Sequence, residues 1–146
     1  MTRSFGRVLL AAALVLAAHA TSAQAQGFKI IVNASNPMTS VSREQLSHFF
    51  LRPSAWEDGS AVVAVDLEET SDVRKNFSRA VLKRDVAAVK AGWMQLMFAG
   101  RGVPPTLRHD DASVESLVAG NPKAIGYVAA DAQVTGHVKV LKVTDQ

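Results

Sequence analysis

Residues 62–77 read VVAVDLEETSDVRKNF. The segment opens with an apolar run that ends at Asp66, and a run without polar alternation is typical of a strand covered on both faces. Three good helix N-cap residues follow, Thr70, Ser71 and Asp72, and after them apolar residues recur at helical spacing. The segment therefore predicts a buried strand, a polar turn and a helix, which are the building unit of an α/β domain.

Elements of the same kinds are predicted on both sides of this segment. In chain order they are a strand at residues 28–33, a helix capped by Ser42 with Leu46, Phe49 and Phe50 on one face, the strand at residues 61–66, the helix that begins at residues 70–72, a helix from Asp85 to about Phe98, a helix that Asp110 or Asp111 caps and Gly120 closes, and strands at residues 124–128 and 138–143. Helical crossovers between apolar strands favour a three-layer α/β domain with a mainly parallel or mixed sheet. In open sheets of this kind, ligands bind off the carboxyl ends of strands, which directs attention to residues 33–42 and 66–74.

The composition excludes several functional classes. The chain has 146 residues, 48% of them hydrophobic, and no cysteine. This length suits one domain with its own core. Without cysteine there is no disulfide framework, thiolate nucleophile, iron–sulfur cluster or cysteine-ligated zinc.

The N-terminus has the parts of a secretory signal peptide. Arg3 and Arg7 precede the apolar run at residues 8–18, and Ala23 and Ala25 form an A-x-A cleavage site. The run would rise only about 16 Å as a helix, which is roughly half of what a bilayer requires; a buried N-terminal helix is the alternative. We expect residues 1–25 to be removed and residues 26–146 to form one domain, periplasmic or secreted and without a lipid anchor.

Removal of the signal peptide would change the charge balance. Residues 26–146 carry 14 basic and 13 acidic side chains, for a net charge of +1. Because little excess positive charge remains to neutralise a phosphate backbone, nucleic acid is not an expected partner.

Residues 68–74 combine features of an anion site. Free N–H groups at the start of a helix attract anions, and Thr70 and Ser71 add hydroxyl donors to those of the backbone. Arg74 adds a positive charge, and Asp72 lies at the same helix start. The alternative is that one of these residues only caps the helix, since Glu68, Glu69 and Asp72 would oppose an approaching anion.

A second group of cationic residues follows the third predicted helix. Arg101, Arg108 and His109 flank the sequence GRGVPP at residues 100–105. They could form a cationic loop, or a solvated turn in which Arg108 pairs with Asp110 or Asp111.

No pattern in the sequence predicts an enzyme, a metal site or a cofactor. His48, His109 and His137 lie far apart and form no H-E-x-x-H motif, and neither a G-x-S-x-G elbow nor a Walker loop is present. Asp66 and Glu68 could be an acid–base pair, but carboxylates that follow a strand are usually solvated.

Four motifs together resemble one family. IIVNASNPMTSVSREQLSHFFL (30–51), WEDG (56–59), VVAVDLEETSDVRKNF (62–77) and AGNPKAIGYV (119–128) are similar, in order and spacing, to motifs of the PstS-like phosphate-binding proteins of ABC transporters. The resemblance implies one lobe of a type II periplasmic-binding-protein-like fold. Full-length members have two lobes that close on the ligand, and this chain is long enough for one.

The resemblance also implies a changed site. The Ser-Gly-Thr phosphate cradle of the family falls on Ser71, Asp72 and Val73, and the arginine that forks onto the anion falls at Leu67. Charge-assisted contacts contribute about 1.5–3 kcal/mol each, so tight phosphate binding is not expected.

Two functions remain open. The first is a non-catalytic binding protein that holds a small anion such as phosphate weakly, through Thr70, Ser71, Asp72 and Arg74. A pair of such lobes could also rebuild a cleft by homodimerising. The second is an envelope protein-interaction module that has lost its ligand and whose partner is a membrane transporter, sensor or secretion component.

Overall fold

The computed structural model describes residues 27–145, so the predicted signal peptide lies outside the described residues. Within this part of the chain the elements are β1 (Phe28–Asn33), β2 (Ser40–Ser42), α1 (Arg43–Leu51), β3 (Val63–Leu67), α2 (Asp72–Phe77), a π-helical segment (Ser78–Leu82) that continues α2, α3 (Val86–Phe98), β4 (Thr106–Arg108), α4 (Asp111–Gly120), β5 (Ala124–Ala129) and β6 (Val138–Thr144). No helix within residues 27–145 combines the length and apolar character needed to cross a bilayer.

The strands form one mixed sheet in the order β2-β6-β1-β5-β3-β4. Strand β1 is antiparallel to its neighbours β5 and β6, whereas β3 runs parallel to β5 and β4. The predicted α/β class is confirmed. The antiparallel position of β1 gives no sequence signal, because an apolar run reports burial on both faces and not strand direction.

The direction of β1 separates the two regions that the sequence picks out. Since β1 and β3 point in opposite directions, Asn33 and Leu67 lie at opposite edges of the sheet. Residues 33–36 and residues 66–74 therefore do not form one site.

Helices cover the sheet on both faces, which gives the predicted three layers. Helix α4 packs on one face, where the Asn33 side chain donates from Nδ2 to the carbonyl oxygens of Val118 and Ala119 at 3.0 and 2.9 Å. A Cβ at Gly126 would lie 2.8 Å from the side chain of Val114, so only glycine lets α4 approach β5 this closely. Helices α1, α2 and α3 cover the opposite face.

An aromatic cluster fills the core beneath these three helices. The Phe77 ring stacks on Tyr127 with centroids 4.0 Å apart, and Phe28 and Phe50 meet Phe77 edge-on at 5.3 and 4.8 Å. Such pairs add about 0.5–1.5 kcal/mol each beyond the burial of their area. The cluster joins α1 and α2 to the two central strands of the sheet.

The helix starts follow the predicted caps. The side chains of Ser42, Asp85 and Asp110 accept from the backbone N–H groups of Gln45, Ala88 and Ser113 at 3.1, 2.8 and 2.8 Å, respectively. The predicted end of α4 is different, because Gly120 is still helical and does not have the positive φ of a C-cap glycine. Asn121 ends the helix in an extended conformation, which the following Pro122 favours.

Two short strands lacked a sequence signal. Strand β2 pairs with β6, and β4 pairs with β3 within the connection after α3. Each has three residues, too few for an alternating pattern to be recognised.

Candidate functional site

Residues 68–74 connect the carboxyl end of β3 to α2, and we call them the β3–α2 corner. Ser71 is the N-cap of α2, and its Oγ accepts from the backbone N–H of Arg74 at 3.2 Å. Asp72 and Val73 are the first helical residues, so their N–H groups have no acceptor within the helix. The capping role considered for this segment is thus realised by Ser71.

The outer surface of the corner is acidic. Glu68, Glu69, Thr70 and Asp72 are exposed, and Ser71 is half-buried. Glu69 forms a 2.7 Å ion pair with Lys90 of α3, and this hydrogen bond lowers the pKa of Glu69. Asp72 is 3.6 Å from Lys75. The structure thus brings the Thr70 and Ser71 hydroxyls and the start of α2 together, among three carboxylates.

Arg74, predicted to contribute positive charge to the site, points into the protein. Only 6% of the residue is exposed. Its Nη1 donates to the carbonyl oxygen of Leu67 at 2.7 Å, and its Nη2 lies 3.3 Å from Oδ2 of Asp66. The guanidinium therefore ties the start of α2 to the end of β3, and its hydrogen bonds are directed to the protein's own acceptors.

Asp66 and Tyr127 complete a buried polar network with Arg74. The Tyr127 hydroxyl donates to Oδ1 of Asp66, which also accepts from the backbone N–H of Leu67 at 3.0 Å. Burial raises the pKa of the Asp66 carboxyl, and the charge of Arg74 opposes this rise. Burial also raises the pKa of Tyr127, and the Asp66 carboxyl acts in the same direction. The neutral Tyr127 hydroxyl thus donates a hydrogen bond to the carboxylate that pairs with Arg74.

The Asp66 position corrects one expectation. We expected Asp66 and Glu68 both to be solvated, but Asp66 is 3% exposed and only Glu68 faces solvent. The alternation of strand β3 explains this, because Asp66 points to the same face as Ala64, into the core. The sequence did carry a signal, since a lone tyrosine in the apolar strand β5 needs a buried hydrogen-bond partner.

The second cationic group does not form the predicted ion pair. His109 Nε2, and not Arg108, lies 3.1 Å from Asp110, and Arg108 donates to the carbonyl oxygen of Leu107. Arg108 is the last residue of strand β4, whereas Arg101 lies before that strand, in the connection after α3. An open hollow of about 640 Å³ lies between Arg108, Glu68 and the start of α4, with charges of both signs on its walls.

A smaller hollow of about 360 Å³ lies at the opposite sheet edge, near residues 33–38. Trp56 forms one wall, packs against Phe49 at 5.1 Å and donates from Nε1 to the carbonyl oxygen of Lys123 at 3.0 Å. These contacts hold the indole against the start of β5. The hollow and residues 68–74 lie at opposite edges of the sheet, because β1 is antiparallel to β5 and β3 is parallel to β5.

Within residues 27–145, no three histidine, aspartate or glutamate side chains gather closely enough to hold a metal ion. The described hydrogen bonds also join no serine hydroxyl to a histidine ring. The arrangement can therefore present hydrogen-bond donors to a ligand.

Comparison with solved structures identifies similar folds. A substrate-binding protein of a phosphate ABC transporter from Clostridium perfringens, solved with bound phosphate, matches with a TM-score of 0.63 and 22% identity, over 80% of this chain and 44% of that one. An ABC-type phosphate transport receptor from Vibrio cholerae matches with a TM-score of 0.60 and 21% identity, over 80% and 46%. PstS from Borrelia burgdorferi matches with a TM-score of 0.62 and 11% identity, over 81% and 47%.

Together these matches establish the fold. The chain spans less than half the length of the three proteins, so it corresponds to one lobe of a periplasmic-binding-protein-like fold. No family model matches the sequence, and no curated protein matches it either.

Proposed function

We propose that the chain is a non-catalytic binding protein whose β3–α2 corner binds a small anion, such as phosphate, weakly. The observation that carries this proposal is the exposed start of α2, where the Thr70 and Ser71 hydroxyls lie beside the first N–H groups of the helix. Its similarity in fold to proteins solved as phosphate receptors supports the same class of role.

The charges of the corner explain why the affinity would be low. An anion would meet the N–H groups of Asp72 and Val73, while the Asp72 carboxylate and the exposed Glu68 would repel it. Arg74 would act only from below, since its guanidinium donates to Leu67 and Asp66. An anion at the corner would therefore lack a bidentate guanidinium contact, which is among the strongest contacts that a protein offers to phosphate.

Isothermal titration with inorganic phosphate, sulfate and acetate tests this proposal. Asp72→Asn removes one repelling charge and leaves the backbone in place, so phosphate affinity is expected to rise about five-fold, equivalent to about 1 kcal/mol. Glu57→Gln is the matched control, because Glu57 is exposed before β3 at the opposite edge of the sheet. The Glu57→Gln variant is expected to bind phosphate with the same affinity as the wild type.

The results separate the alternatives. Heat of binding that Asp72→Asn strengthens and Glu57→Gln leaves unchanged supports anion binding at the corner. Absence of binding heat for all three anions, in both the wild type and Asp72→Asn, would overturn the proposed anion binding.

The second candidate is a protein-interaction module that has lost its ligand. Leu67, Asp72 and Val73 favour it, because the PstS-like pattern has an anion-binding arginine at the first position and the glycine and threonine of its phosphate cradle at the other two. Its partner would be a membrane protein of the envelope, whereas self-association of two lobes would rebuild a cleft for the first candidate. Light scattering at increasing concentration tests self-association, and cross-linking in the envelope fraction tests a membrane partner.

Both functions assume export, with residues 1–25 removed and residues 26–146 folding as one periplasmic or secreted domain. N-terminal sequencing of the exported protein is expected to begin at Gln26. A chain that retains Met1 would contradict the assignment.

A further inference from the structure

The outward face of α3 is apolar, although it faces solvent. Ala87, Ala91, Met94 and Phe98 recur at helical spacing on the side opposite the buried Val89, and all four are exposed. An exposed helix face normally carries charged and polar residues. Lys90 is the single charged residue within α3.

Further exposed apolar side chains lie at the end of the helix and in the connection that follows it. Phe98 is 84% exposed and Val103, in the connection to β4, is 83% exposed, while Met94 and Met97 are about half exposed. We call Ala87, Ala91, Met94, Met97, Phe98 and Val103 the α3 face. Several large apolar side chains exposed in one part of a domain indicate an interaction site.

Basic residues predominate in the chain segment that contains α3, and one of them, Lys90, pairs with Glu69 of the β3–α2 corner. The segment from residue 75 to 108 has seven basic residues and one acidic residue; these are Lys75, Arg79, Lys83, Arg84, Lys90, Arg101, Arg108 and Asp85. Among residues 27–145, Lys83, Arg84 and Arg101 form no ion pair. The Arg84 guanidinium lies along α3, with Nη1 3.9 Å from the point where a Cβ on Gly92 would be.

The near-neutral net charge of residues 26–146 is therefore the sum of a basic segment and an acidic remainder. Outside residues 75–108, the same stretch carries seven basic and twelve acidic residues. The chain segment that contains α3 is thus basic, whereas the rest of residues 26–146 is acidic. Such an asymmetry orients a molecule towards a negatively charged surface.

From this combination we infer that the α3 face docks on an anionic lipid bilayer. An apolar helix face flanked by lysine and arginine is the pattern of helices that lie in the membrane interface, with the apolar side chains in the acyl region and the cations at the headgroups. Phe98 and Val103 protrude from a helix end and a loop, so they can insert without a shaped partner.

Other occupants fit these observations less well. A second copy of the chain would bring the basic residues near α3 of both copies together, and like charges across an interface are unfavourable. A nucleic acid would satisfy the basic residues but leave the Met94 and Phe98 side chains without an apolar environment. An acidic protein would need a pocket matched to each protruding side chain.

Flotation with vesicles tests this inference on the exported protein. The vesicles contain phosphatidylcholine with about 30% phosphatidylglycerol, and pure phosphatidylcholine vesicles serve as the neutral comparison. Val103→Ser is expected to lower binding to anionic vesicles about five-fold, and the double variant Lys83→Glu/Arg84→Glu at least ten-fold. High salt is expected to weaken the wild type.

Val140→Ser is the matched control, since Val140 is 44% exposed and lies on the α4 side of the sheet. All variants share the same N-terminus, so a difference between them reports the α3 face. Stronger binding to anionic vesicles that Val103→Ser reduces and Val140→Ser does not would support the inference. Absence of vesicle binding, equal binding by Val103→Ser and Val140→Ser, or Phe98-dependent capture of an acidic protein without vesicle binding would overturn it.

Discussion

The β3–α2 corner and the α3 face use their side chains in opposite ways. At the corner, the arginine that the sequence offers to a ligand is buried and bound to Asp66 and Leu67. On the α3 face, apolar side chains that would normally be buried face solvent. The difference teaches that residue type alone does not identify a binding surface; what matters is whether the side chain's bonding capacity is already satisfied within the fold.

The largest expected effect tests the buried side of this comparison. Arg74→Met removes the cation that offsets the buried Asp66 carboxylate, so the free energy of unfolding should fall by about 3–5 kcal/mol. Denaturation in urea measures the change. Arg84→Met is the control, because Arg84 is exposed beside α3, and it should change stability by no more than about 0.5 kcal/mol.

The effect of Arg74→Met should also depend on pH. Burial already raises the pKa of Asp66, and loss of Arg74 should raise it further. The folded variant then binds a proton that the unfolded chain releases above about pH 4, so its stability falls as the pH rises towards neutrality. The loss should therefore be smaller near pH 4 than near pH 7. A loss independent of pH, or no larger than that of Arg84→Met, would contradict a charged Asp66–Arg74 pair.

The next effect concerns the third member of the network. Tyr127→Phe keeps the ring that stacks on Phe77 and removes the hydroxyl that donates to Asp66, which should cost about 1.5–3 kcal/mol. Urea denaturation measures this loss.

In the wild type, the tyrosine is the only one in the chain. Because its pKa is raised, phenolate absorbance should appear only as alkali unfolds the protein, and ionisation of the folded protein would argue against the hydrogen bond.

Much of the fold is predictable from local sequence. The strand at residues 28–33 and the caps at Ser42, Ser71 and Asp85 follow from apolar runs and short-range hydrogen bonding. Strand direction and the short strands β2 and β4 depend on contacts between residues distant in the chain, so no local pattern reports them.

The candidate site is only partly predictable, for the same reason. The positions of Thr70, Ser71 and Asp72 at a helix start follow from their identities as capping residues. The inward direction of Arg74 depends on Asp66 and Tyr127, which lie on two different strands. The net charge of the chain likewise conceals the basic segment that contains α3, because a sum over the whole chain does not show how the charges are distributed along it.

A smaller effect is expected at the boundary between the buried network and the exposed corner. Ser71→Ala removes the cap of α2 and should cost about 1 kcal/mol, whereas Ser71→Asn can accept the same hydrogen bond and should cost less. Urea denaturation of both variants separates capping from packing. Equal losses for the two substitutions would mean that the Ser71 hydroxyl stabilises something other than the helix start.

The smallest effect belongs to the α3 face. Phe98→Ala should change the free energy of unfolding by no more than about 0.5 kcal/mol, because an 84% exposed ring contributes little to the core. Trp93→Ala is the comparison within the same helix, since Trp93 is buried and donates to the carbonyl oxygen of Phe50 at 2.9 Å; it should cost about 3–5 kcal/mol. A loss above 1 kcal/mol for Phe98→Ala would mean that the ring packs inside the folded chain. A phenylalanine that contributes little to folding is instead free to contribute its apolar surface to binding, whereas the Arg74 guanidinium is already bound to Asp66 and Leu67.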